Sequence, residues 1–437
     1  MKLFLFFTLL TIALANDYLP QQIHLSYTNQ PTEMMVTWTT MKNTTTATVQ
    51  YSTNTFHHST TSRNITEFID GGPLHRTIYI NRVLLSNLLR GQKYTYICGT
   101  ETYGWSSIYF FVAMKEFPKN DPVTILFYGD FGDANSVSLP TIQQTIDTTN
   151  IDAVLHLGDF AYDFYNDNGI LGDKFMRDIE SIAAYVPYMT AVGNHEYHYN
   201  YSHYRNRFTM PNAPTQNMLY SWNIGPLHII SFSTEVYFVP YTRIISKNIN
   251  AIRDQYEWLI YDLTHANLHR DKQPWIITMA HRPMYCSTPN GDACTWSKNP
   301  VRDGILIDNV MKYGLERLFY DYSVDVELWG HEHNYERLYP VYRGVPDFEN
   351  IYVHNKTTTY YNPVTPIQII SGGFGNREMH GTPIVFTNNS WSAFTNDDYG
   401  YGSMKTYNST HLHIQQINGT TGGMIDDLWI VKNPPSL

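Results

Sequence analysis

The stretch AVLHLGDFAY, from Ala153 to Tyr162, reads as a short buried strand that stops at Gly158 and turns Asp159 out of the sheet. The pattern recurs: Val123 to Gly129 stops at Asp130, Val186 to Gly193 at Asn194, Trp275 to Ala280 at His281, and Asp325 to Gly330 at His331. Glycine precedes the polar residue in four of the five. Open α/β sheets bind ligands beyond the carboxyl ends of their strands, so the five ends can converge on one site. Two carboxylates, one amide and two imidazoles, without a thiolate, make a donor set for hard or borderline metal ions.

Around these runs the chain alternates strands with amphipathic helices. Phe175, Ile179, Ile182 and Ala183 mark a helix over Lys174 to Tyr185, and Ile249, Ile252, Tyr256, Leu259, Ile260 and Leu263 mark a longer one. Such alternation predicts βαβ units and an α/β catalytic domain over 121–437, closed by strands from about residue 364 such as Ile367 to Ser371 and Thr410 to Ile417. The residues before it differ. Short runs rich in β-branched and aromatic residues, from Gln22 to Ala113, predict an all-β domain over 16–115, and Lys115 to Asp121 reads as a linker. Leu88 to Tyr96 resembles the tyrosine corner of a fibronectin type III sandwich, with Trp38 in its core. This β-sandwich carries no cluster of ligands or acid/base residues, and its expected role is structural.

With 437 residues, 43% of them hydrophobic, the chain can bury the cores of two or three domains. Residues 1–15, MKLFLFFTLLTIALA, read as a signal peptide cleaved after Ala15, because the apolar run falls short of the about 20 residues that span a bilayer. No second apolar segment of that length follows, so no membrane span is expected. Secretion, either to the exterior or to the lumen of an acidic organelle, fits seven glycosylation sequons at Asn43, Asn64, Asn200, Asn355, Asn388, Asn408 and Asn418. Cys286 and Cys294 suit a local bridge, leaving Cys98 as a buried free thiol in preference to an intersubunit bridge. A formal charge of −10 and the lack of any Lys/Arg cluster argue against a nucleic-acid partner. The 18 histidines would offset that charge in an acidic compartment.

Taken together, Gly-Asp-Phe-Gly at 129–132, Gly-Asp-Phe-Ala-Tyr at 158–162, Gly-Asn-His-Glu at 193–196, Ala-His-Arg-Pro at 280–283 and Gly-His-Glu-His at 330–333 resemble the purple acid phosphatases. These are members of the calcineurin-like metallophosphoesterases, and the resemblance extends over both domains, as in the long secreted form. Most metallophosphoesterases open with Asp-X-His. Here position 132 is glycine, and Tyr162 makes good the loss. The resemblance implies an Fe(III) site of Asp130, Asp159, Tyr162 and His333, and a site for Fe(II), Zn(II) or Mn(II) of Asn194, His281, His331 and the bridging Asp159. Ions of +3 and +2 against three anionic ligands leave positive charge for a phosphate.

The implied reaction is hydrolysis of a phosphomonoester by a metal-bound hydroxide, active at acid pH. His195 is the implied catalytic residue, donating a proton to the leaving group or orienting the phosphate. The chain departs from the plant pattern in having no histidine between His281 and His331. Arg282 and Tyr285 are the adjacent candidates for substrate contacts, while His198, His203 and His380 receive no role. Expected partners are phosphorylated small molecules or proteins and N-glycans, and a homodimer is compatible with the sequence. Two alternatives stay open: a phosphodiesterase or nucleotide pyrophosphatase on the same metals, and a non-catalytic glycoprotein that binds through its β-sandwich.

Overall fold

In the computed structural model the described residues are 16–54, 57–116, 122–132, 137–211, 216–238, 245–288, 292–376, 378 and 386–433. The expected leader at 1–15, most of the 115–121 linker and His380 lie outside them.

Residues 21–112 form two antiparallel sheets around one core. One sheet runs Gln21–Ser26, Met34–Thr40, Thr77–Leu85, Ile65–Ile69; the other runs His58–Ser62, Ala47–Ser52, Lys93–Thr100, Gly104–Trp105, with Tyr109–Val112 also paired to Lys93–Thr100. Alternation along Met34–Thr40 sends Met34, Val36 and Trp38 inward, all buried. The Leu89 N–H donates to the Tyr94 hydroxyl at 2.9 Å, which closes the tyrosine corner.

The rest of the chain packs two mixed sheets with helices outside. In the first, Val123–Tyr128, Ala153–His156 and Tyr188–Thr190 lie parallel. Gly400–Thr406, His411–Asn418 and Met424–Val431 extend that sheet beyond Val123–Tyr128. Thr357–Tyr361 and Ile351–His354, upstream of the expected closing strands, form its outer edge. In the second sheet Leu227–Ser231, Trp275–Met279, Val326–Trp329 and Ile367–Ser371 lie parallel, with antiparallel strands at both margins. The long helix Ile245–Leu268 buries Ile252, Leu259 and Leu263. The helix Ile170–Ala183 starts a turn earlier than its apolar pattern suggests. Its first turn is held by the Asp173 carboxylate, which pairs with Arg76 and, at 2.8 Å, with Arg207.

The β-sandwich rests directly on this domain, through one continuous hydrophobic core. The Tyr27 and Tyr96 hydroxyls donate to the carbonyls of Asp152 and Ala184 at 2.8 and 2.7 Å. Glu180 accepts from the Gln22 N–H at 2.6 Å and the Tyr109 hydroxyl at 2.5 Å. Cys286 and Cys294 form a disulfide, and Cys98 is a buried free thiol. Among the described residues no helix is long and apolar enough to cross a membrane.

Candidate metal centre

The five strand ends meet where the two sheets come together, three from the first sheet and two from the second. The backbone turns sharply there. Asp130, Asp159, Tyr162 and His331 have φ of 61°, 53°, 45° and 72°, a left-handed conformation that costs non-glycine residues roughly 1–3 kcal/mol each and clusters at functional sites. The glycines before them permit close approach. A Cβ on Gly158 would lie 2.7 Å from His281 Nδ1, and one on Gly193 would lie 2.2 Å from Asp159 Oδ1. At Gly132 (φ 80°) a Cβ would fall 2.8 Å from the Asn376 Cα, so this position has no room for a side chain of any kind.

Two groups of donor atoms result. In the first, the Tyr162 hydroxyl is 2.9 Å from Asp130 Oδ1 and 2.9 Å from His333 Nε2. In the second, His281 Nε2 is 3.0 Å from both Asp159 Oδ2 and Asn194 Oδ1, and 3.2 Å from His331 Nδ1. Asp130, Asp159 and His281 are all buried.

The hydrogen bonds on the far sides of the rings decide what these atoms can do. His281 Nδ1 donates to the Leu157 carbonyl at 2.8 Å and His333 Nδ1 to the Glu378 carbonyl at 2.8 Å. His331 Nε2 lies 2.6 Å from Asp292 Oδ2. In their neutral forms His281 and His333 therefore aim a lone pair at the other donors, and His331 does so in the tautomer whose Nε2–H donates to Asp292, the usual arrangement of a metal-binding histidine with an outer partner. The Tyr162 hydroxyl has one hydrogen and faces two acceptors. Around His281 Nε2, carboxylate, amide and imidazole lone pairs converge with no hydrogen of their own to share. Such a cluster calls for a cation, and the residues present fit a pair of metal ions, a hard oxygen-rich site beside a nitrogen-richer one.

Protons compensate in the metal-free site. Burial lowers the His281 pKa, but Asp159 raises it further, to about 9. Burial tends to raise the Asp159 pKa, yet His281 and His195 more than offset this and keep it ionised. Burial, then Asp130 and Asp159, push the Tyr162 phenol well above its ordinary value. A metal ion would displace these protons.

Residues beyond the predicted set hold it in place. The Glu196 carboxylate accepts N–H bonds from Asp159 at 3.0 Å, Phe160 at 3.0 Å and Gly193 at 2.9 Å, clipping two strand ends together. His195 lies at the rim, its side chain 22% exposed. Its N–H donates to Asp159 Oδ1 at 2.8 Å, and its Nδ1 lies 2.7 Å from Asp163 Oδ1. Burial lowers its pKa, but Asp159 and Asp163 push it up to about 10. Arg282 reaches the site: Nη1 is 2.9 Å from His331 Nε2, and Nε bonds Glu235 at 3.1 Å. Tyr285 does not. Its hydroxyl is engaged by Glu316 and by the Gly344 N–H, which makes it a structural residue. His203 is likewise buried between the domains, against Asp70.

Residues 20–113 match the family described as purple acid phosphatase, N-terminal domain, residues 113–335 the calcineurin-like phosphoesterases, and residues 365–427 the iron/zinc purple acid phosphatase-like protein C. Acid phosphatase type 7 of Danio rerio is 45% identical over 419 residues, covering 94% of this chain and 91% of that protein. The Homo sapiens protein of the same name is 43% identical over 417 residues, with the same coverage. A purple acid phosphatase from yellow lupin (Lupinus luteus) seeds shares the fold, with a TM-score of 0.75 over 96% of this chain and 75% of that one at 24% identity. Fold and site together define a calcineurin-like metallophosphoesterase. Within that class the chain belongs to the purple acid phosphatases, phosphatases that work on a dinuclear metal site.

Proposed function

We propose that the protein is a secreted acid phosphatase that hydrolyses phosphate monoesters with Fe(III) paired to Fe(II), Zn(II) or Mn(II). The observation that carries the iron assignment is the Tyr162 hydroxyl, 2.9 Å from both Asp130 and His333, where Gly132 offers no side chain. Asp130, Asp159, Tyr162 and His333 would hold the trivalent ion. Asn194, His281 and His331, sharing Asp159, would hold the divalent one. When bound, the pair supplies charge for the phosphoryl oxygens and acidifies water enough to furnish a nucleophile at low pH.

The chain's own groups do the rest. His195, with Nε2 3.9 Å from Asp159 Oδ2, faces the ligands and can give its proton to the leaving oxygen, while Asp163 fixes the ring from behind. Arg282 adds positive charge beside His331. Substrates of this reading are phosphorylated small molecules or proteins. The leader-like residues 1–15, the Cys286–Cys294 disulfide and six exposed sequon asparagines, with Asn418 half-buried, support secretion as a glycoprotein.

Tyr162→Phe tests the assignment. The purified protein should contain iron and absorb in the visible, and the variant should fold yet lose that band. A colourless native protein carrying two zinc ions would sink the iron reading. Turnover of an aryl phosphate well above that of an aryl phosphodiester is expected, and the reverse order would move the function to a phosphodiesterase.

A further inference from the structure

The β-sandwich touches the catalytic domain at a place its structural role does not require. The turn Asp70–His75, between strands Ile65–Ile69 and Thr77–Leu85, lies against two catalytic-domain segments. One, residues 163–173, follows Tyr162. The other, residues 198–207, follows Asn194 and His195.

The contacts are specific and largely buried. Asp70 Oδ2 is 2.6 Å from His203 Nε2, both residues being almost inaccessible. The Leu74 N–H donates to Asn168 Oδ1 at 3.1 Å. Arg76 pairs with Asp173, which pairs at 2.8 Å with Arg207, and Arg207 Nη2 returns to the Gly169 carbonyl at 3.1 Å. Gly71 leaves room for the Tyr199 ring, whose nearest atom would be 2.4 Å from an added Cβ. Gly169 is similarly confined, since a Cβ there would be 3.0 Å from His203 Cε1 and 3.3 Å from Asp70 Oδ2.

Both segments need such support. Tyr162, Asp167 and Asn168 have φ of 45°, 51° and 53°, and Tyr199, Asn200 and Tyr201 have φ of 51°, 58° and 60°. No strand pairing holds residues 162–169, and a run of left-handed residues persists only where its surroundings over-determine it. Tyr162, just before the first segment, touches Asp130 and His333, and Asp163, its first residue, touches His195.

We propose that the Asp70–His75 turn is a positioning element for the phosphatase site, with Asp70 as its key residue. By clamping both segments it fixes where the Tyr162 hydroxyl and the His195 ring stand. The proposal rests on the reading of Tyr162 as an iron ligand and of His195 as the proton donor. It gives the β-sandwich a part in catalysis without a residue at the reaction centre.

The test compares Asp70→Ala with Glu180→Ala in the full chain. Glu180 joins the same two domains but touches neither segment. Asp70→Ala should lower kcat roughly 10- to 100-fold with little change in KM, since displacing groups by about an ångström costs that much, and should shift the visible band. Glu180→Ala should lower the thermal midpoint while leaving kcat and the band unchanged. If Asp70→Ala fails to fold, Asn168→Gly, which keeps the left-handed φ of 53° accessible while removing the acceptor for Leu74, takes its place with the same expectation. A variant that loses thermal stability alone, in step with Glu180→Ala, overturns the proposal. A colourless native enzyme would refute the iron reading separately, leaving kcat to report on His195.

Discussion

Asp159→Asn is expected to leave the fold intact, bring metal content below two ions per chain and lower kcat by roughly 10³-fold or more. Shape is not the reason. Asn is among the residues that accept the left-handed φ of 53° found at this position, and its amide oxygen can still accept the His195 N–H now bound to Oδ1 at 2.8 Å. What disappears is the anion. Asp159 Oδ2 lies 3.0 Å from His281 Nε2, and the same carboxylate raises the pKa values of Tyr162 and His333 in the other donor group. Elemental analysis of the purified variant and its turnover of an aryl phosphate check this. Two retained ions with kcat within tenfold of the parent would remove Asp159 as the bridge.

His195→Ala should bind metal normally and lose roughly 10²- to 10⁴-fold in kcat, more for an alkyl phosphate than for an aryl phosphate with an acidic phenol as leaving group. The metal donors do not include the His195 side chain, and the ring sits at the rim, where truncation leaves the core packing alone. In the metal-free site burial lowers the ring's pKa, but Asp159 and Asp163 push it up to about 10. Asp163, outside the proposed ligand set, stays 2.7 Å from Nδ1 to favour the protonated ring a proton donor requires. A poor leaving group depends on that proton, and a good one does not. Measuring kcat for both substrates in both proteins separates the two possible roles. Equal losses would show that His195 orients phosphate and does not deliver the proton.

Much of this site is written locally. Each of Asp130, Asp159, Asn194, His281 and His331 directly follows an apolar run, so a strand ending and a polar residue leaving it can be recognised without knowing what lies opposite. Tyr162 and His333 follow at fixed short distances. The division of the five ends between two sheets could not be read the same way, because an apolar run does not announce its neighbours. Asp292 was invisible for a similar reason. It lies among Pro, Asn and Gly in a disulfide-closed loop, and only the folded loop brings its carboxylate to His331. Glu196 was visible as part of a motif, but its three N–H bonds depend on Gly158–Phe160 and Gly193 meeting in space. Arg282 and Tyr285 illustrate the limit of proximity in sequence: three residues apart on one loop, one faces His331 and the other faces Glu316.

The split of the strand ends bears on more than recognition. With Asp130, Asp159 and Asn194 supplied by one sheet and His281 and His331 by the other, bound ions would act as rivets through the sandwich. A shear between the sheets would strain the shared coordination, and loss of the ions would leave the sheets joined only by their common core and by bonds such as His281 Nδ1 to the Leu157 carbonyl and the His331 N–H to Asp130. Chemistry and mechanical cohesion would then share some of the same bonds, so that metal loss would be felt as lost stability as well as lost turnover.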